Sequence, residues 1–567
     1  MTVSETVQEA DELLRDLYES EWRWRTEQLG EQTLSSRGRI DDFLPDVSEL
    51  AQRERLRYWE SVLGKLREVP FERLSAAAKQ DYSVYEQQIS TLIAQQQYRM
   101  YERPANADTS FWGVLAERGN RALGSEEDAR RYVKQLADVP RYFAQQIDNM
   151  RAGVGRGFGP PQVSMTGRQE TIRTVAMAGA PEETVFFKPF DTLPDGLPQE
   201  TRERLREEGT AVIATAVIPA YRDLLTYVEQ EYFPHLPVAT AAADGPDGAA
   251  FYQAQLREFT TTELSAQEIF DIGQREVAAI RAEMEEIAAQ VGFAGDVPGL
   301  LEFMRTDPRF YAKTAKELLM VAAYEAKKFD LVVDRFFGKL PEMRFGIVEV
   351  PPDLAPFYTF GRGGLGRYTL NTYNLPARPL YSIPALTLHE AAPGHAFQIP
   401  FAHEQKHHPA FRRHVYISAY GEGWALYTER LGVEMGIYET PFDMMGMLSF
   451  QMWRAVRLVV DPGMHALGWS REQAQDFMRA NTAIADHEIT TEIDRYIAWP
   501  GQACAYHLGQ LKIWELRRRA EEALGESFNI RNFHDTVLGL GSVPLTVLEQ
   551  EIDRFIAEGG RSPFAPS

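Results

Sequence analysis

Apolar positions in the first part of the chain recur at helical spacing. Leu13, Leu14, Leu17 and Trp22 fall on one stripe, and similar stripes run from Tyr58 to Leu66 and from Tyr82 to Leu92. The pattern predicts packed amphipathic helices from Gln8 to about Ala152, with Trp22, Trp24, Trp59 and Trp112 as core residues. Residues 153–194 are rich in Gly and Pro and hold a short helix around Glu170 to Ala178; a long helix is predicted from Pro198 to Tyr232. The small, turn-rich stretch 239–249 then reads as a linker, dividing a helical scaffold half (1–238) from a second half (250–567). Ser265 and Glu268 have the spacing of a capping box ahead of a helix whose apolar face carries Ile269, Ile272, Ala279, Ile280, Met284 and Ile287. A helix from Thr314 to Val333 follows, and strand signals are confined to Met343 to Val350 and a hairpin around Gly361. The expected fold is mainly α with a small antiparallel β-sheet, the helical halves flanking a cleft.

Composition narrows the function more than the fold. The chain has 567 residues, Lys+Arg 60 against Asp+Glu 82 and a net charge of -22, which argues against nucleic acid or an anionic membrane as partner. Cys504 is the single cysteine, so no intramolecular disulfide can form. The acidic start has no apolar core segment, and no run of roughly 18 uncharged apolar residues was found in the sequence. These features lead to the expectation of a cytoplasmic protein with no membrane contact.

The chemistry concentrates in Pro384-Ala-Leu-Thr-Leu-His-Glu-Ala-Ala-Pro-Gly-His-Ala-Phe397. Two imidazoles and a carboxylate framed by apolar residues are what a buried zinc site with its own general base needs. On a straight helix, six residues turn by about 240°, which would part His389 from His395. Pro393 lies four residues after His389 and breaks a helical hydrogen bond, so the helix is expected to kink or bulge and return His395 toward His389. Glu390 is the expected base.

Two nearby patterns compete. His403-Glu-Gln-Lys-His407 matches the helical zinc motif literally, but its setting is polar, Lys406 puts a cation inside it, and His408-Pro409 follows directly. Gly361-Arg-Gly-Gly-Leu-Gly366 matches a dinucleotide fingerprint, yet the β-prone Arg367-Tyr-Thr-Leu-Asn-Thr372 follows where a helix is required. These glycines are expected to turn a hairpin, whose strand Tyr368 to Asn371 is placed to offer an edge to an extended substrate. Cys504, with His507 three residues on, reads as a small core residue rather than a nucleophile.

A catalytic zinc takes a third protein ligand and keeps one position open. Glu422 lies between Gly421 and Gly423 in otherwise helical text; two glycines that weaken a helix by roughly 1 kcal/mol each suggest close approach of backbone or ligand. Glu429, two turns on, could orient one of the histidines. Further polar clusters follow: Arg457 with Asp461 and His465, then Glu492 to Tyr496 leading to Gln502 and Tyr506, then His534-Asp535. Tyr506, Tyr496 and Arg495 are candidate donors to a developing oxyanion. Arg495 could instead hold a substrate carboxylate. Asn371, Asp461, His465 and Gln502 are expected to support the site or touch substrate.

His389-Glu-Ala-Ala-Pro-Gly-His395, Glu422-Gly-Trp-Ala-Leu-Tyr427, Asp461-Pro-Gly-Met-His-Ala-Leu-Gly-Trp469, Arg495-Tyr-Ile-Ala-Trp-Pro-Gly-Gln502 with Tyr506, and Gly541-Ser-Val-Pro-Leu545 together resemble the bacterial domain-of-unknown-function family 885, grouped with zincin-like, gluzincin-type metallopeptidases. The resemblance covers the last two hundred residues or so. It implies a mostly helical zincin-like fold, zinc (Zn2+) held by His389, His395 and Glu422, and Glu390 as general base; it maps the metal onto His389 and His395 rather than His403 and His407. Relatives often carry a second histidine where this chain has Ala396, and a threonine where it has Pro462. The function expected is a zinc-dependent hydrolase of short peptides. The alternatives are a zinc hydrolase or amide-forming enzyme acting on a non-peptide amide, and a zincin-fold binding or scaffold protein without turnover.

Overall fold

The computed structural model describes residues 3–30, 40–107, 109–293, 295–352, 355–482, 484 and 486–564. The chain divides into two compact units, Met1–Phe251 with Ile497–Trp499, and Tyr252–Tyr496 with Pro500–Ser567.

The first unit is built of helices among its described residues. Serine side chains start several of them: Ser48, Ser75, Ser110 and Ser125 each accept a backbone N–H three residues on, which satisfies a donor the helix itself cannot. The buried stripe of the first helix, Val3–Leu29, is Ala10, Leu14 and Tyr18, while Leu13 is 52% exposed. The stripe continues through Glu21 and Arg25, a buried ion pair at 2.7 Å in which Glu21 also accepts the Trp59 indole N–H at 3.0 Å. The stripe read from the sequence overlaps this face at Leu14, with Leu17 and Trp22 half-buried at its margin; charged letters at Glu21 and Arg25 are why the apolar pattern alone did not find its centre. The predicted long helix runs Gln199–His235 and, contrary to the reading of the sequence, is long and apolar enough to cross a membrane; 61% of its apolar window is buried inside the protein. Ile213, Val217, Tyr221 and Leu224 on it join a core with Trp112, Phe143 and Phe186.

The second unit carries the candidate chemistry. Its helices used below are α1 (Ala266–Gln290), α2 (Ala315–Phe336), α3 (Ile383–Glu390), α4 (His395–Glu404), α5 (Ser418–Met435), α6 (Pro441–Ala466), α7 (Asp486–Ala498), α8 (Ala505–Leu524) and α9 (Ile530–Gly539). Local chemistry sets their starts. Ser265 and Glu268 form the predicted capping box of α1, Thr440 and Asp443 form another on α6, and Thr314 caps α2. Gly436, at φ 70°, ends α5 in a left-handed turn.

Three short strands, β1 (Gly346–Glu349), β2 (Gly361–Gly364) and β3 (Arg367–Leu370), make a sheet in the order β1-β3-β2. β2 and β3 form the expected antiparallel hairpin, with Gly366 at φ 70° in its turn. β1, however, pairs parallel to β3. The sheet is therefore mixed rather than antiparallel, and β3 lies in its centre. The strand expected to offer an edge to substrate is paired on both sides; β2 and β1 are the edges.

Two close helix contacts fix the frame. A Cβ added at Gly273 on α1 would lie 2.7 Å from the Leu458 Cβ on α6. On α5 and α8, a Cβ at Gly423 would lie 2.6 Å from the Gly509 Cα, and one at Gly509 would lie 1.9 Å from the Ala419 carbonyl oxygen. Only paired glycines let these two backbones meet.

Candidate metal centre

α3 is buried at every position, so it is a core helix whose last two residues, His389 and Glu390, end inside the protein. The predicted interruption takes a sharper form than a kink. α3 stops at Glu390, residues 391–394 turn with a cis Ala392–Pro393 bond, and a new helix begins at His395. A Cβ at Gly394 would lie 1.9 Å from the His389 carbonyl oxygen, so this turn accepts only glycine there. α5 clamps it at both ends: the Trp424 indole N–H donates to the Pro393 carbonyl at 2.8 Å, and the Thr428 hydroxyl donates to the Leu388 carbonyl at 3.0 Å.

The turn brings the two imidazoles to a centroid separation of 5.0 Å with planes at 86°. α5 presents Glu422 to both. Its Oε2 lies 3.6 Å from His389 Nε2 and 3.3 Å from His395 Nε2. Among the described residues, these three form the group whose ligand atoms all lie within 4.8 Å of one another. Bonds of about 2.0–2.2 Å in a tetrahedron place donors roughly 3.3–3.6 Å apart, so the two His and one Glu suit a single zinc ion and leave a fourth position.

Neighbouring side chains hold two of the three donors. His389 Nδ1 lies 2.7 Å from Glu429 Oε1, which places a proton on Nδ1 and turns Nε2 toward Glu422. Glu429 is fully buried, with Gln451 Nε2 at 3.4 Å and Arg454 Nη2 at 3.9 Å from its carboxylate. Tyr416 donates its hydroxyl to Glu422 Oε1 at 2.8 Å. Burial would raise the Glu422 carboxyl, but His395 and His389 outweigh it and hold it well below the usual carboxylate range. Burial would lower His389, but Glu422 and Glu429 raise it to about 10. The rise at His389 reflects the carboxylates gathered around it, negative charge of the kind that a cation neutralises.

Glu390 stands beside this group with its Oε2 accepting the Gly363 N–H of edge strand β2 at 2.6 Å. A Cβ at Gly363 would lie 1.8 Å from the Glu390 carbonyl oxygen. The glycines that mimic a dinucleotide fingerprint thus let a strand approach the metal helix and meet its acid.

The other sequence candidates are placed as follows. Tyr496 is 1% exposed and its hydroxyl accepts from Trp453 Nε1 at 2.9 Å and Arg457 Nε at 2.8 Å while donating to Glu492 at 2.8 Å; no donor remains for an oxyanion. Asp461, fully buried, accepts from the Tyr252 hydroxyl at 2.6 Å and the Gly501 N–H at 3.0 Å, and burial raises it to about 7. His465 Nε2 lies 3.0 Å from the Tyr496 carbonyl. Asn371 is fully buried and spends its amide on the Ala355 and Tyr358 carbonyls, both at 2.9 Å. Arg495, Gln502 and Tyr506 come together, the guanidinium 3.4 Å from both Gln502 Oε1 and the Tyr506 hydroxyl. His403 and His407 are parted because α4 ends at Glu404; His403 faces His414 with ring centroids at 5.4 Å, and His407 lies against His408 at 4.2 Å. Cys504 is buried.

Sequence reasoning missed Tyr416 and Gly363. Gly421 was the available signal for the first, since a Cβ there would lie 2.5 Å from the Tyr416 ring. The second acts through its backbone, which no side-chain letter encodes.

The chain belongs to the family described as "Bacterial protein of unknown function (DUF885)", which matches residues 27–552. No curated protein matches it. Among solved structures, "The crystal structure of the putative lipoprotein from Colwellia psychrerythraea" is 26% identical, with a TM-score of 0.88 over 98% of this chain and 99% of its own. A Shewanella oneidensis protein, titled a "putative lipoprotein of unknown function", is 16% identical, with a TM-score of 0.71 over 97% of this chain and 99% of its own. The chain shares their fold over nearly its whole length. A Pyrococcus furiosus carboxypeptidase structure, titled "Apo-Mg", aligns with a TM-score of 0.30 and 12% identity over 91% of this chain and 99% of its own, a score too low to carry an argument about fold or function. The cytoplasmic location expected from the sequence is corrected by the first two findings, since both structures are titled as those of a "putative lipoprotein". An acidic composition and a lone cysteine do not separate one compartment from another.

Proposed function

We propose that the protein is a zincin-like metallohydrolase that cleaves peptide bonds of short peptides, with zinc held by His389, His395 and Glu422. The observation that carries the reading is the convergence of those three donors within 4.8 Å beside Glu390, on the three helices α3, α4 and α5, with Glu429 holding His389 and Tyr416 holding Glu422. Zinc supplies Lewis acidity at that point. Glu390 acts as the base: its carboxylate takes the proton of the attacking water and returns it to the leaving amine. The Gly363 N–H holds that carboxylate in place on one oxygen, leaving the other to handle the proton. Tyr416 spends its hydroxyl proton on Glu422 and so steadies the carboxylate that would hold the metal. No nucleic acid or membrane enters this reading.

The test is metal content per chain, by inductively coupled plasma mass spectrometry, in wild type and in His389→Ala, His395→Ala, Glu422→Ala and His407→Ala, with folding checked by circular dichroism. Near-stoichiometric zinc in wild type and His407→Ala, and its loss in the other three, is expected. A peptide library with Glu390→Gln as control then reads hydrolysis, which should fall at least 100-fold in the variant. A wild type that takes up no added zinc would end the proposal.

A further inference from the structure

We propose that Ser542 is a positioning residue for the metal centre: its hydroxyl anchors the peptide between Tyr416 and Ile417 and thereby holds the Tyr416 hydroxyl on Glu422. The proposal rests on the reading of Glu422 as a metal ligand, and it gives a role to the stretch Gly541-Ser-Val-Pro-Leu545.

α5 begins differently from its neighbours. α1, α2 and α6 start from a Ser or Thr whose own side chain accepts an N–H of the first turn. The residue before α5 is Ile417, which has no such group. The partner for this helix start comes from 125 residues away, where Ser542 Oγ accepts the Ile417 N–H at 2.8 Å. Ile417 and Ser542 are both buried, and a buried donor left without its acceptor is costly.

The peptide that carries this N–H begins at Tyr416. The Tyr416 ring folds back over the first turn of α5, across Gly421, where a Cβ would lie 2.5 Å from it. Its centroid stands 6.4 Å from that of His395, and its hydroxyl donates to Glu422 Oε1 at 2.8 Å. Tyr416 is nevertheless 38% exposed. Packing thus leaves part of the ring in solvent, and its backbone end has to set its direction. Ser542 fixes that end.

Ser542 is itself firmly held. α9 ends at Gly539, and Gly541, at φ 70°, turns the chain back. Along this stretch the Val537 carbonyl accepts the Tyr420 hydroxyl at 2.8 Å, the Gly539 carbonyl lies 2.9 Å from His408 Nε2, and the Leu540 carbonyl accepts Arg412 Nη2 at 2.5 Å. Beyond Ser542, the Leu545 N–H donates to the Thr261 hydroxyl at 3.0 Å, where the helix Leu545–Ala557 begins. Residues 537–542 therefore grip residues 408–420. The three carbonyls belong to the backbone and survive any substitution. Ser542 grips through its side chain, and it does so at the residue next to Tyr416.

The experiment is a double-mutant cycle on the full-length protein. Zinc affinity is read by competition with a chromophoric chelator, and the Tyr416 ring by fluorine NMR of zinc-free, fluorotyrosine-labelled protein. Tyr416 is one of 24 tyrosines, and its signal is the one missing from Tyr416→Phe. Tyr416→Phe should weaken zinc binding at least about tenfold, as loss of a partner to a metal ligand does. Ser542→Ala should weaken it at least about threefold in the wild-type background and by less than about 1.5-fold in Tyr416→Phe, where nothing remains for the anchor to position. It should also move the Tyr416 signal toward that of a solvated tyrosine while the other tyrosine signals stay in place. Ser542→Thr keeps the hydroxyl and should recover both readouts. If Ser542→Ala does not fold, Ser542→Cys, close in shape and a weak acceptor, takes its place with the same expectations. Equal losses of affinity in the two backgrounds, as a purely structural Ser542 would give, or an unmoved Tyr416 signal would overturn the proposal. A wild type that takes up no added zinc would remove the metal reading instead, and the Tyr416 signal would then decide whether Ser542 positions that ring.

Discussion

Glu429 shows how much of the candidate site depends on a residue outside the proposed ligand set. Its carboxylate receives His389 Nδ1 at 2.7 Å from a fully buried position and so selects the tautomer whose other nitrogen faces Glu422. Replacing one of these outer partners typically costs 10- to 100-fold in metal affinity. Glu429→Gln keeps the shape and an acceptor but removes the charge; it is expected to weaken zinc binding within that range, read by competition with a chromophoric chelator. Unchanged affinity would deny Glu429 this role. The residue letters themselves, two His and three Glu at spacings the chemistry needs, were legible from the sequence. Tyr416 was not, because a tyrosine six residues before an acid has no distinctive spacing.

At the level of elements, the site depends on backbones that approach more closely than any side chain permits. Gly423 and Gly509 bring α5 against α8, and Gly509 leaves no room for a methyl beside the Ala419 carbonyl. Gly509→Ala must push α5 away and with it Glu422, three residues beyond Ala419. Overpacking of this kind costs about 1–3 kcal/mol. The variant is expected to melt several degrees lower and to hold less zinc; a melting temperature and zinc content equal to wild type would show that the helices separate freely. The sequence announced the tight approach by placing glycines on both sides of Glu422. It could not say that α8 was the partner, nor that β1 would join the hairpin in parallel, because pairing between distant segments leaves no periodic trace.

For the whole molecule, stability against acid follows from neutral groups sealed in the core. His534 on α9 lies between the Tyr427 hydroxyl at 2.7 Å and the Phe336 carbonyl at 2.8 Å, and burial lowers its pKa to about 3. An unfolded histidine titrates near 6.5. With the folded value depressed, the unfolded chain takes the proton first, so this contribution is fully present above about pH 6.5 and is lost as pH falls toward 3. Between pH 7.5 and 4.5 the wild type should lose roughly 2–3 kcal/mol more unfolding free energy than His534→Gln, measured by urea titration. Equal losses would place the acid sensitivity elsewhere.

What the sequence by itself determined is local: the helical periodicity of most elements, the capping box at Ser265, the hairpin at Gly361, and a histidine pair broken by Pro-Gly with an acid between glycines. Each is written in neighbouring letters, so each can be read without the fold. The fold had to show that charged Glu21 and Arg25 occupy the core beside the first helix's apolar stripe, and that β3 is central rather than an edge. It also decided that Gly363 reaches Glu390 through its backbone N–H and that Arg457 and Arg495, on two helices, flank the Glu492 carboxylate. These features arise from contacts between segments tens of residues apart, whose energies come from burial and charge in three dimensions, and a one-dimensional pattern carries no record of them.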